Sequence, residues 1–335
     1  MKILSVESSC DETAVAIVED GRRVLCDSIA SQVELHKLYG GVVPEIASRK
    51  HMEAIYGLAE DALQSACLRR KDLDAVAVTY APGLIGAVLV GVNFAKAAAY
   101  GLGIPLIPVH HIRGHIAANY LAYPELEPPF VCLVVSGGHT LIVDVRDYTE
   151  FCVMGGTRDD AAGECFDKVA RVLGMPYPGG AALDRTARSG DPTRYSLPQP
   201  KLRGNPLDLS FSGLKTAAIN LIHNARQKDE QLDIPSLCAS FSAAVAEMLV
   251  PRTMEALRQT GYGKLAVAGG VAANSVIRGG LQSEGEKVGA KLYFPPLHLC
   301  GDNGAMIGAQ GYYEYLAGNV ADMTLNAFAT KHITL

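Results

Sequence analysis

The feature that most constrains the fold is a pattern of two strands joined by a polar turn, which occurs twice along the chain. Apolar runs at 3–6 and 14–18 flank a polar turn in the first copy. Apolar runs at 130–135 and 141–145 flank a glycine-containing turn in the second copy. Two equivalent hairpins predict a duplicated architecture.

Strands alternate with helices between the two hairpins. Apolar residues recur every three or four positions over 55–66, which predicts an amphipathic helix. A buried strand at 74–79, a helix of small residues at 84–101 and a strand at 104–109 follow. This alternation predicts an α/β sheet, and 335 residues suffice for about two domains. The same criteria predict later helices at 161–173, 214–225 and 236–259.

Composition excludes several classes of protein. With 49% hydrophobic and 19% charged residues, the chain is not disordered, and its net charge of -5 lacks the basic footprint of a free-standing nucleic-acid binder. The eight cysteines contain no C-x-x-C pair, which favours a reducing cytosol. Only four apolar residues precede Glu7, and the apolar stretch 87–102 contains Asn93 and Lys96. We therefore expect a cytoplasmic protein with no secretory signal and no membrane span.

The segment 110–115 contains three histidines. If it is helical, His111 and His115 project from one face, because they are four residues apart, and both can bind one divalent metal. The alternative is a pair of structural histidines without a ligand. Ile112 occupies the position of the general-base glutamate in the H-E-x-x-H motif, so the spacing does not indicate a peptidase.

A third protein ligand must come from elsewhere in the chain. Asp302, at the start of the last predicted helix, is the candidate, and its alternative role is that of a helix N-cap. Cys300 is a competing ligand nearby. Two imidazoles and one carboxylate with open positions suit iron(II), zinc or manganese.

Glycine-rich turns are candidates for binding an anion. The turns at 136–140 and 269–275 offer backbone N–H groups that can hold a phosphate, although neither matches a P-loop or Rossmann fingerprint. Asp167 and Asp184 lie at or near further helix starts, where capping is the alternative role. Together these turns and acids fit one nucleotide site.

Seven motifs in order along the chain resemble those of the TsaD/Gcp family: 7–13, 110–115, 134–140, 158–167, 211–215, 269–275 and 300–306. The resemblance implies the two-lobed fold of actin, hexokinase and Hsp70 (ASKHA), with duplicated RNase H-like lobes and an interlobe nucleotide site. It implies an N-terminal lobe at 1–109 and a C-terminal lobe at 110–302, with 303–335 packing back on the first lobe.

The resemblance also implies an activity, the transfer of threonylcarbamoyl from threonylcarbamoyl-AMP to N6 of adenosine 37 in tRNAs that read codons beginning with A. It implies that His111, His115 and Asp302 hold iron(II), with zinc as the alternative, and that Asp11 lies near the reacting group as a candidate catalytic residue. The adenylate, or ATP, ADP or AMP in its place, would be bound by Val134, Val135, Ser136, Gly137, Gly138, Asp167, Gly180, Asp184 and Asn274.

Departures from the family pattern are mild, since Ile112, Cys165 and Gly301 replace residues frequent in the family but none is a proposed ligand. The family implies as partners tRNA, a metal-free TsaB-like paralogue that forms a heterodimer through the N-terminal lobe, a TsaE-like P-loop ATPase and a TsaC-like synthase that supplies the adenylate. The competing functions are a sugar-kinase-like or Hsp70-like ATPase, a metallopeptidase and a noncatalytic scaffold.

Overall fold

The first hairpin lies at the centre of a five-stranded sheet. The computed structural model describes residues 1–200 and 202–334, so Lys201 and Leu335 lie outside it. The sheet has the order β3-β2-β1-β4-β5. Strand β2 is antiparallel to both of its neighbours, β1 and β3, while β4 and β5 run parallel to β1. Its strands are β1 (Lys2–Glu7), β2 (Glu12–Glu19), β3 (Arg23–Ser31), β4 (Ala75–Ala81) and β5 (Leu106–His110).

The second hairpin lies at the centre of a second sheet with the same topology. Its order is β10-β9-β6-β7-β8, so each sheet places its first strand beside the antiparallel second and the parallel fourth. The predicted duplication is confirmed. The strands are β6 (Phe130–Val135), β7 (Thr140–Val145), β8 (Phe151–Gly156), β9 (Lys264–Ala268) and β10 (Lys291–Tyr293).

Four predicted helices, at 84–101, 161–173, 214–225 and 236–259, agree with the structure to within two residues at each end. The helix predicted at 55–66 begins eleven residues earlier, at Pro44. Short 3₁₀ turns at Arg70–Asp72, Gly270–Ala273 and Leu297–Leu299 supplement them. Strands β3 and β8 lie outside the sequence prediction. Strand β3 has no buried residue, and β8 mixes buried, half-buried and exposed residues without regular alternation. The helices are α1 (Val33–Lys37), α2 (Pro44–Ser65), α3 (Ile85–Leu102), α4 (His111–Ala122), α5 (Ala162–Val172), α6 (Gly179–Ala187), α7 (Ser212–Gln227), α8 (Ile234–Thr260), α9 (Ser275–Lys287) and α10 (Gly304–Leu316).

Two helices, α3 and α8, are long and apolar enough to cross a membrane by length and composition. This is weak evidence for a span, since core helices of water-soluble domains pass the same test. Within α8, 72% of the apolar window is buried in the protein, as in a core helix; within α3 the share is 33%.

The chain divides into two compact units at positions that differ from the predicted lobe boundaries. The first unit comprises 1–128, 146–152 and the residues from 295 onward, and the second comprises 129–145 and 153–294. The sequence prediction put α4 and Asp302 in the C-terminal lobe at 110–302, whereas the structure places both in the first unit. The reason is packing, because Ala118 of α4 and Met306 of α10 share one apolar cluster with Ile3 and Ile107 of the first sheet.

Helix α10 approaches the first sheet closely through a row of glycines. A Cβ atom on Gly304 would lie 2.7 Å from the backbone nitrogen of Ala16, and one on Gly308 would lie 2.6 Å from Cγ2 of Val18. Both distances are shorter than any tolerated carbon contact. The helix can therefore lie against β1 and β2 only because these positions lack side chains.

We predict that Gly308→Ala destabilises the first unit by about 1–3 kcal/mol, because the added methyl group must displace buried Val18. The matched control is Gly57→Ala in α2, where a Cβ meets no atom within 4 Å. There the higher helix propensity of alanine should stabilise by up to about 1 kcal/mol. Hydrogen exchange of the β1 and β2 amides measures the change in stability for both variants. Equal changes would contradict the close approach of α10 to the first sheet.

Candidate metal centre

Helix α4 brings His111 and His115 together. Strand β5 ends at His110, whose side chain caps the helix by accepting a hydrogen bond from the amide of Ile112 at 3.2 Å. The four-residue spacing then places both imidazole rings on one buried face, with ring centroids 4.6 Å apart. The helical placement expected from the spacing is observed.

Asp302 completes the cluster from the other end of the chain. Its Oδ1 lies 3.1 Å from Nε2 of His115 and 3.7 Å from Nε2 of His111. The helix N-cap is Asn303, whose side chain accepts from the amide of Met306 at 2.8 Å, so the capping role does not fall to Asp302. The thiol of Cys300 contacts the carbonyls of Pro295 and Pro296, and the cluster of possible ligand atoms consists of His111, His115 and Asp302.

The donor set fits a divalent metal. One ligand atom from each of His111, His115 and Asp302 lies within 4.8 Å of the other two. Among the described residues, the buried ring nitrogens of His115 have no hydrogen-bond partner beyond the approach of Nε2 to Asp302, which leaves them available as donors to a cation. Two imidazoles and one carboxylate are typical ligands of iron and zinc, and their arrangement leaves positions open for a substrate.

Negative charge accumulates around this cluster. Burial raises the pKa of Glu12 to about 9, and the nearby carboxylates of Asp302 and Asp11 act in the same direction. Burial opposes the charged form of His111, yet the carboxylates of Glu7 and Asp302 raise its pKa to about 9. The neighbouring acids raise the pKa of both groups, and a cation would compensate their negative charge.

Asp11 lies in the turn between β1 and β2 and is buried. Two backbone carbonyls of this turn are held from outside it. The carbonyl of Asp11 accepts from the amide of Gln32 at 2.9 Å, and that of Cys10 contacts Nε2 of His51 at 3.0 Å. The other ring nitrogen of His51 contacts Thr13 Oγ1 at 2.7 Å. The fixed turn determines where the Asp11 carboxylate can lie.

In the second unit the predicted glycine turn follows β6. Val134 and Val135 are fully buried in the sheet, where both pair with β7 and Val134 also pairs with β9, so binding of a ligand by them stays a prediction. A Cβ on Gly137 or Gly138 would meet no atom within 4 Å, so this turn exposes its backbone. Ser136 stabilises the turn, because its Oγ accepts from the amide of His139 at 3.2 Å.

The remaining predicted adenylate residues join helix N-termini in this unit. Asp167 accepts hydrogen bonds from the amides of Gly179 and Gly180 at 2.8 and 3.1 Å, and so caps α6. Asp184 accepts from the amide and hydroxyl of Ser275, while Asn274 caps α9. Asp167 and Asp184 lie inside α5 and α6 rather than at their starts, and each accepts hydrogen bonds from the N-terminus of another helix. Binding of an adenylate by these residues stays a prediction.

Sequence analysis missed the side chains that support the metal cluster. Glu7 contacts His111, and Thr79 donates a hydrogen bond to Glu7. Arg113, on α4 between the two histidines, forms a buried ion pair with Glu314 at 2.8 Å. The signal that could have found Arg113 and Glu7 is a charged residue inside an otherwise apolar or ligand-bearing segment, since a buried charge needs a partner.

We predict that the protein binds one equivalent of divalent metal and that His111→Ala, His115→Ala or Asp302→Ala weakens binding by more than about 100-fold. Loss of a ligand should exceed the 10- to 100-fold effect of losing an outer partner. His223→Ala, at an exposed position on α7, is the matched control and should bind as the wild type does. Equilibrium dialysis with elemental analysis measures the stoichiometry. Unchanged binding in all three ligand variants would place the metal elsewhere.

Comparison with solved structures supports the fold class. T. kodakarensis HypF matches with a TM-score of 0.62 at 15% identity, over 97% of this chain and 49% of that chain. Component A of the Acidaminococcus fermentans (R)-2-hydroxyglutaryl-CoA dehydratase matches with a TM-score of 0.54 at 15% identity, over 94% and 99%. At such low identity these likenesses show the fold alone, and they confirm the two-lobed, actin-like α/β class.

Comparison of sequences identifies the family. The family model described as TsaD, tRNA N6-adenosine threonylcarbamoyltransferase, matches residues 23–309. Proteins of that name from Moorella thermoacetica and Clostridium perfringens are 56% and 52% identical over 325 residues, which is 97% of this chain and 95% and 96% of theirs. The chain therefore belongs to the TsaD family of tRNA N6-adenosine threonylcarbamoyltransferases.

Proposed function

We propose that this protein transfers the threonylcarbamoyl group from threonylcarbamoyl-AMP to N6 of adenosine 37 in tRNAs that read codons beginning with A, forming t6A37 and AMP. The observation that carries the proposal is the buried cluster of His111, His115 and Asp302 in a chain that belongs to the TsaD family. The sequence-based expectation of an acyltransferase agrees with membership of this family.

We further propose that His111, His115 and Asp302 hold one divalent metal, iron(II) or alternatively zinc. Bound there, such an ion supplies a Lewis acid for a carbonyl oxygen of the substrate. The chemistry of the donor set supports this proposal, because two imidazole nitrogens and one carboxylate oxygen suit both ions.

The reaction needs positioning more than it needs a strong base. N6 of adenosine attacks the carbamoyl carbon, the bond from that carbon to the phosphate oxygen breaks, and AMP leaves while N6 loses one proton. Because this amine is a poor nucleophile, holding the reactants in place contributes much of the rate. Asp11, on a turn fixed by Gln32 and His51, is suited to orient a reacting group or to accept the proton.

The glycine turns of the second unit are suited to the AMP part. The exposed backbone at 137–138 offers N–H donors to a phosphate. Gly269 packs against Ser136, since a Cβ there would lie 3.2 Å from Cβ of Ser136. The two turns are therefore neighbours, as one anion site requires.

We propose a cytoplasmic protein that acts with the partners of its family: tRNA, a TsaB-like paralogue, a TsaE-like P-loop ATPase and a TsaC-like synthase. The net charge of -5 favours tRNA binding that is shared with partners. Three large apolar side chains of the first unit favour a protein interface there, because Leu38, Met52 and Tyr56 are 79%, 64% and 61% exposed.

We predict that wild-type protein, supplied with its partners, threonylcarbamoyl-AMP and tRNA containing adenosine 37, forms t6A and AMP in equal amounts. His111→Ala should reduce the rate at least about 100-fold, because transfer requires the metal cluster. Mass spectrometry of nucleosides from digested tRNA measures the product. His223→Ala and a tRNA with guanosine at position 37 are the controls.

Two outcomes would contradict the proposed function. If folded wild-type protein and intact substrate give no product but ATP is hydrolysed, an ATPase of the same fold becomes the better description. If a verified metal-free His111→Ala variant transfers at the full rate, the metal has no part in the reaction.

We predict that Met52→Glu combined with Tyr56→Glu weakens the heterodimer at least about tenfold, because charges replace apolar side chains that the partner would bury. Leu316→Glu is the matched control, since Leu316 is equally exposed in the first unit but lies on α10. Sedimentation velocity with the paralogue measures the dissociation constant. Equal weakening by both changes would argue against an interface at α2.

A further inference from the structure

Glu7 is a completely buried carboxylate beside the metal cluster. It ends β1, and its Oε1 accepts a hydrogen bond from the amide of Ser9 at 2.5 Å. Its Oε2 accepts from Thr79 Oγ1 at 2.5 Å and lies 3.0 Å from Nδ1 of His111. Each oxygen thus has a specific donor.

This carboxylate is expensive to bury. Among the described residues, no lysine or arginine forms an ion pair with it, and it contacts the imidazole of His111 instead. Burial opposes the charged form of a carboxylate by several kcal/mol, and the contacts with Ser9, Thr79 and His111 offset this cost. Of these three residues, His111 is the candidate metal ligand.

The contact decides which nitrogen of His111 can act as a ligand. A carboxylate only accepts hydrogen bonds, so Nδ1 must carry the proton that it donates to Glu7. The lone pair of the neutral ring then resides on Nε2, the nitrogen that faces Asp302 at 3.7 Å. Ser9 Oγ also lies 3.1 Å from Nδ1, but a bond to an ionised acceptor is the stronger of the two.

We propose that Glu7 is a positioning residue for the metal, which fixes the ring of His111 with Nε2 free to bind and increases the basicity of that nitrogen. The proposal rests on the metal binding included in the proposed function. The general physics is that of a carboxylate–histidine–metal triad, in which the outer carboxylate sets the orientation of its imidazole. In the part of the chain that the structure describes, Nδ1 of His115 has no hydrogen-bond partner, so the two histidines are unequal ligands.

Thr79 extends the same chain of hydrogen bonds. It lies on β4 and is fully buried, and its hydroxyl donates to the oxygen of Glu7 that faces His111. Strands β1 and β4 are parallel neighbours, with Val6 opposite Val78, so the sheet itself fixes the positions of Glu7 and Thr79. The first sheet thereby determines the orientation of a ligand that is carried on α4.

The decisive substitution is Glu7→Gln, which retains the shape but adds two donors. The amide of Ser9 still needs an acceptor, so the glutamine oxygen must occupy the place of Oε1 and the NH₂ group must face His111. Nδ1 then has to accept, and the proton of a neutral ring moves to Nε2, where it blocks the metal. We expect the Kd for Co²⁺, followed by its visible absorption, to rise about 10- to 100-fold.

A second readout reports the hydrogen bond directly. In the Zn²⁺ complex of the wild type, the Nδ1 proton of His111 should give a downfield, slowly exchanging resonance that Glu7→Gln removes. A Kd within twofold of the wild type, or an unchanged resonance, would overturn the proposal. Both measurements need only metal and protein, so a wild type that binds Co²⁺ but transfers nothing would refute the activity and leave this inference standing.

Thr79 keeps the test decisive if Glu7→Gln does not fold. Thr79→Val preserves the shape but removes the donor, while Thr79→Ser retains it. We expect the valine variant to bind Co²⁺ more weakly and the serine variant to bind as the wild type does. Equal affinities in these two variants would overturn the role of the chain from Thr79 through Glu7 to His111.

Discussion

The structure of the first unit depends on the close approach of α10 to its sheet. Glycines at 304 and 308 let the helix lie against β1 and β2, where any side chain would collide with Ala16 or Val18. Asp302 and Asn303 immediately precede the helix, so the depth of packing fixes their positions. The metal cluster therefore depends on two glycines that have no reactive side chain. By letting α10 pack closely, they hold the carboxylate of Asp302 beside α4.

A second constraint is electrostatic. Four acids, Glu7, Asp11, Glu12 and Asp302, lie close together in a largely buried region, where His111 contacts Glu7 and His115 contacts Asp302. Protonation of Glu12, whose pKa burial and the neighbouring acids raise to about 9, is one response to this charge, and a divalent cation is the other. A helix that supplies two imidazoles to the same place makes the second response structurally available.

The fold was largely predictable from sequence because each hairpin and each long helix has a local apolar period. The same reasoning found His111 and His115, whose spacing is itself local. It could not choose between a ligand and a cap for Asp302, or exclude Cys300, because that choice depends on Asn303 and on the carbonyls of Pro295 and Pro296. Glu7 and Thr79 escaped for the same reason, since their meeting is fixed by strand register across 72 positions of sequence.

The two hairpins show how one topology supports opposite chemistries. The turn after β1 ends at Asp11 and is followed by Glu12, the first residue of β2, whereas the equivalent turn after β6 contains Gly137 and Gly138. Carboxylates at a strand end favour cations, while bare backbone N–H groups at the same position favour phosphate. Duplication thus supplied two equivalent frames, and a few residues give the first hairpin an acidic tip and the second an exposed backbone.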